Sequence, residues 1–157
     1  MASNFNDTTP AAPAGTTNVK WQKDGSGNIS ANVPTSAIDL IDVDLTAQAA
    51  DIAPTTLFAV VNSGRFRVSG YIIVSQAATT SSVLPSIVIS WTDPDNSTVQ
   101  SLTLTPTNSG NLLTSFQEAL AFISAKAATN IQYSTSGYAS VGATPMQFAL
   151  HLVLESV

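Results

Sequence analysis

Met146-Gln147-Phe148-Ala149-Leu150-His151-Leu152-Val153-Leu154-Glu155 carries the clearest structural pattern in the chain. Met146, Phe148, Leu150, Leu152 and Leu154 recur at every second position, with Gln147, Ala149, His151, Val153 and Glu155 between them. Successive side chains leave a β-strand on opposite sides, so a strict period of two marks a strand with one buried face. The same alternation runs through Arg65–Val74, where Phe66, Val68, Ile72 and Val74 share one parity. It returns at Ile87, Ile89 and Trp91, at Leu102 and Leu104, and at Ile131 and Tyr133. Thr56–Val61 reads as a further short strand, and Ile38–Leu45 sets Ile41, Val43 and Leu45 against Asp42 and Asp44.

Turn signals separate these runs: Asn62-Ser63-Gly64, Asp93-Pro94-Asp95-Asn96-Ser97 and Ser136-Gly137, with a polar loop over 75–83. About eight strands follow residue 37, with no alternation of strand and helix. That predicts an all-β, jelly-roll β-sandwich over 37–157. One segment is ambiguous. Leu113, Phe116, Leu120 and Ile123 have helical spacing, and Ser115-x-x-Glu118 has the form of a capping box. The competing strand is 118–125, with Leu120 and Phe122 facing inward.

Residues 1–36 differ in character. Pro10, Pro13 and Pro34, with Ala, Thr, Asn and Gly15, offer too little apolar area to fold alone. Val19–Val33 alternates about an Asp24-Gly25-Ser26-Gly27-Asn28 turn and reads as a small hairpin. The segment is therefore expected to be an extended N-terminal arm carrying a hairpin, with Phe5, Trp21, Ile29 and Val33 as its anchors.

Composition narrows the function. The chain has 157 residues, with 44% hydrophobic and only 10% charged, and a net charge of −5. Five basic residues give no basic stripe to neutralise phosphates, so nucleic acid is not an expected partner. No apolar run approaches the roughly 18 residues of a membrane helix, and the first residues lack the pattern of a secretion signal. There are no cysteines and one histidine. No nucleophile elbow, phosphate loop or metal-ligand spacing is present, so no catalytic residue, cofactor or metal is expected and the chain reads as a non-enzyme. The polar surface is built from Ser, Thr and Asn, which suits packing against other subunits better than repulsion between them.

The strand faces point the same way. A sheet with one wet face should alternate strictly. Here the second face of 65–74 carries Tyr71 and Ile73, and that of 145–155 carries Ala149, His151 and Val153. These five residues are the expected subunit interface.

Several stretches resemble a group of bacteriophage structural proteins: Gly64-Arg65-Phe66-Arg67-Val68-Ser69-Gly70-Tyr71, Trp91-Thr92-Asp93, Ile131–Tyr138, and the terminal Phe148–Glu155. The opening Asn4–Pro10 through Val19-Lys20-Trp21-Gln22 is similar to the N-terminal arms of such proteins. The style of 37–157 resembles trimeric jelly rolls of the tumour-necrosis-factor and complement-C1q type. The resemblance implies a strand over 118–125. It also implies a homotrimer that binds the major capsid protein as a decoration, or cement, protein. Its place would then be the capsid surface of a virion, the protein itself being made in the host cytoplasm. A receptor- or glycan-binding head of a phage fibre is the alternative it implies, with Tyr138 as the loop aromatic to stack on a sugar.

Overall fold

The computed structural model describes residues 20–23, 29–32, 38–105 and 108–157. The chain divides into two units, Met1–Ser36 and Ala37–Val157. In the first, β1 (Lys20–Lys23) pairs antiparallel with β2 (Ile29–Asn32), Trp21 lying across from Ala31. This is the hairpin expected about the Asp24–Asn28 turn. Of the expected arm anchors, Phe5 and Val33 lie outside the described residues, and so do the side chains of Trp21 and Ile29.

The second unit holds eleven strands among its described residues: β3 (Ile38–Gln48), β4 (Thr55–Val60), β5 (Gly64–Gln76), β6 (Ser81–Leu84), β7 (Ser86–Thr92), β8 (Val99–Thr103), β9 (Asn108–Ser109), β10 (Phe116–Ala125), β11 (Thr129–Ser136), β12 (Ala139–Val141) and β13 (Gln147–Ser156). Eight of them build two four-stranded antiparallel sheets, ordered β10-β5-β13-β3 and β4-β11-β7-β8. Counting only those eight along the chain, the first sheet runs sixth-third-eighth-first and the second runs second-seventh-fourth-fifth. Chain-adjacent strands thus often fall in opposite sheets, which is the Greek-key winding of a jelly roll. The expected fold is the observed one. A small sheet, β12-β6-β9, lies outside the two main sheets.

The core sits between the two main sheets. Met146, Phe148, Leu150, Leu152 and Leu154 are wholly buried, as the period of two required. They meet Val68, Ile72 and Val74 of β5, Ile87 and Ile89 of β7, and Ile131 of β11 in one cluster. Each such side chain contributes roughly 1.5–3 kcal/mol on leaving water. Hydroxyls in the core are satisfied by backbone groups of other strands and loops. Thr105 Oγ1 accepts the Ile87 N–H at 2.7 Å, and Thr135 Oγ1 accepts the Ile52 N–H at 2.7 Å.

Two expectations are corrected. The polar loop over 75–83 contains the start of a strand, β6, whose Ser82 is buried and donates to the Gly110 carbonyl. The segment with helical spacing is strand from Phe116 to Ala125, and its facing is the reverse of that expected. Ala121, Ile123 and Ala125 are buried, while Leu120 and Phe122 point outward. Local spacing is overridden by pairing with β5, from Phe116 opposite Ile73 to Ala125 opposite Gly64. That register fixes the parity: Ile123 and Ala125 enter the core, and the alternate large side chains emerge on the far side.

Candidate interaction face

The far side of the β10-β5-β13-β3 sheet carries the residues that need explaining. Cross-strand partners share a face, so the registers read out its rows. One row is Phe116, Ile73 and Ala149. The next is Glu118, Tyr71, His151 and Asp44. Then come Leu120, Ser69, Val153 and Asp42, and after them Phe122, Arg67 and Glu155. The face therefore grades from apolar on β10 to acidic on β3.

The five expected interface residues all fall on this face. Tyr71 is 42% exposed, while Ile73, His151 and Val153 are half-buried. Ala149 retains only 6% exposure. It sits where the register between β13 and β3 shifts, between Phe148 and Leu150.

The most apolar row of this face was missed by the sequence reading. Phe116 is 57% exposed, Leu120 59% and Phe122 66%, three successive outward apolar positions on β10 interrupted only by Glu118. At about 200 Å² per large aromatic side chain, these three and Tyr71 leave roughly 400 Å² of mostly apolar surface in water. That reaches the range of the largest patches on ordinary monomers, which are often functional. The signal in the sequence was the row of small residues at the other parity, Ala119, Ala121 and Ala125.

Two polar pairs brace the middle of the face. His151 Nδ1 lies 2.8 Å from Asp44 Oδ1. The His151 ring stacks on Tyr71 with centroids 4.5 Å apart and planes 28° apart. Arg67 forms an ion pair with Glu155. The face is thus pre-ordered, with its central side chains held by neighbours rather than free to collapse onto the apolar row.

Beside Phe122 the face ends in a cavity of about 230 Å³ lined by Arg65, Phe66, Phe122, Ile123, Ser124 and Val157. Among the described residues no three of His, Asp and Glu come together as a metal site would need. Tyr138 is not a presented loop aromatic. Its hydroxyl donates to the Met146 carbonyl at 2.6 Å, and its ring packs 6.0 Å from that of Phe148.

No family model and no curated protein sequence matches this chain. Two solved structures resemble it in shape. One is the CBM22-1–GH10 modules of Clostridium thermocellum endo-1,4-β-D-xylanase 10B complexed with xylohexaose. It is 15% identical at a TM-score of 0.41 over 71% of this chain, which spans about a fifth (20%) of that one. The other is the C-terminal domain of EclA, a sugar-binding protein, 11% identical at a TM-score of 0.41 over 85% of this chain and 89% of that one. At these identities and scores neither likeness bears on what this chain binds.

Proposed function

We propose that this chain is a structural binding protein of the capsid-decoration kind, which works by laying the outer face of the β10-β5-β13-β3 sheet against other protein. The observation that carries this reading is the run of Phe116, Leu120 and Phe122 standing outward on one strand. Burying such a row contributes about 25 cal/mol per Å² before ordering costs, and a partner of protein removes it from water most completely. The low charge supports contact between protein surfaces, since few ions must be stripped of water. The capsid setting, with the major capsid protein as partner, rests on the sequence resemblance. In that setting the protein adds links that a shell must break before it opens.

A glycan-binding fibre head is the second reading. The row Asp44–His151–Tyr71 favours it, because a carboxylate beside an aromatic ring offers a sugar both a hydrogen-bond acceptor and an apolar surface. The stack of His151 on Tyr71 occupies one face of that ring, and Tyr138 is tied to the core. Protein contact is therefore preferred.

Cosedimentation with emptied phage heads, run beside a glycan array, tests the choice. A decoration protein pellets with the heads to a saturating copy number, and Phe122→Lys reduces the pelleted fraction. Retention in the supernatant together with specific glycan binding overturns the proposal and supports the fibre head.

A further inference from the structure

We infer that β10 is the seam between two copies of this chain, which pair edge to edge and antiparallel so that two four-stranded sheets become one of eight. This rests on the assembly reading above and names its partner. β10 is the outermost strand of its sheet. The Val74 N–H donates to the Ser115 carbonyl at 3.0 Å, which fixes the parity of the ladder. Odd-numbered residues of β10 bond to β5. Phe116, Glu118, Leu120, Phe122 and Ser124 turn their N–H and C=O groups to the open edge, where no described residue pairs with them.

A bare edge is a template for another strand, and natural sheets blunt such edges with lysine, proline, charge or short length. The other three outer strands are blunted. β3 carries Asp39, Asp42 and Asp44, β8 has five residues, and β4 has six and follows Pro54. β10 has ten residues, no lysine, arginine or proline, and one charge, Glu118.

The occupant is chosen by self-complementarity. In an antiparallel pair about a two-fold axis at Ala119, even-numbered residues meet even-numbered ones and every open group finds a partner between 116 and 122. Phe116 of one copy then lies opposite Phe122 of the other, twice over, and Glu118 lies opposite Leu120. Each aromatic pair adds about 0.5–1.5 kcal/mol beyond its buried area. The cavity lined by Phe122, Ile123 and Ser124 opens beside the place that Phe116 of the second copy takes. The second copy covers the flank of the Phe116, Leu120 and Phe122 row, eight ladder hydrogen bonds supply the direction of the contact, and the outward face itself stays open to a further partner. The geometry is two-fold, in place of the three-fold arrangement implied by the resemblance.

Light scattering of the full chain, with oxidative crosslinking of an Ala119→Cys variant, tests this. The native chain has no cysteine, so the introduced thiol is unique. Across the axis the Cα atoms of a non-hydrogen-bonded pair lie about 4.5 Å apart, within disulfide reach. A dimer in solution and a disulfide-linked dimer on oxidation are expected. Phe122→Lys, on the exposed edge, should weaken the dimer by about 30-fold or more while leaving the far-ultraviolet circular dichroism unchanged. A monomer at high concentration overturns the seam, as does a trimer in which Ala119→Cys fails to crosslink. The pelleting assay stands apart: a monomer that still pellets with phage heads refutes this seam and leaves the decoration reading in place.

Discussion

Gln117 faces inward from β10 at 8% exposure, and neither its Oε1 nor its Nε2 has a partner. A buried amide without hydrogen bonds costs about 1–3 kcal/mol. Methionine fills similar space without that cost, so Gln117→Met should raise the unfolding free energy by about 1–2 kcal/mol, read as a higher denaturant midpoint at unchanged m. Gly70 shows the opposite constraint. A Cβ there would stand 2.1 Å from the His151 carbonyl oxygen and 2.7 Å from Leu152 Cδ2. The obstacle is the backbone of β13, which cannot rotate away as a side chain can. Gly70→Ala should therefore cost about 3 kcal/mol or leave the protein insoluble, read from the same denaturation curve. Both residues were open to inspection in the sequence, yet neither role was visible there. A glutamine among alanines looks like surface, and a strand glycine does not say which backbone approaches it.

At the level of elements, alternation was legible wherever one face of a strand is apolar and large. β13 is the clear case, its inward Phe148, Leu150, Leu152 and Leu154 all at 0% exposure, as is Met146 just before it. β5 follows the same rule. β10 does not, because its inward row is Gln117, Ala119, Ala121, Ile123 and Ala125 and its large residues face out. A reading that sends the largest apolar side chains inward must invert such a strand. The interaction face was accordingly half read: Tyr71, Ile73, Ala149, His151 and Val153 were placed on it, and Phe116, Leu120 and Phe122 were not. Long-range clasps were also illegible. The Asp51 carboxylate, just after β3, accepts the Gly137 and Tyr138 N–H groups at 3.1 Å and the Thr135 hydroxyl at 3.3 Å. Nothing local marks Asp51 for that role. Asp51→Ala should cost about 1–2 kcal/mol and speed hydrogen exchange at Gly137 and Tyr138 in particular, measured by amide exchange.

For the whole molecule, strand count, spacing of turns and the absence of strand–helix alternation sufficed to name the jelly roll. They did not say which strands end as neighbours. The most distant pairing is β3 with β13, Ile38 lying across from Ser156. Closing so long a loop must precede its reward, so stopped-flow refolding should be slow for a chain of this size, in the millisecond-to-second range. The same pairing has a topological consequence. The positions at which the polypeptide enters and leaves the sandwich are side by side at one pole. A short glycine-rich splice between them, with a new break in the exposed turn at Asp95–Ser97, should yield a circular permutant that melts cooperatively. In the unspliced chain a cargo tethered just behind β13 would hang from that pole, leaving the opposite one unobstructed.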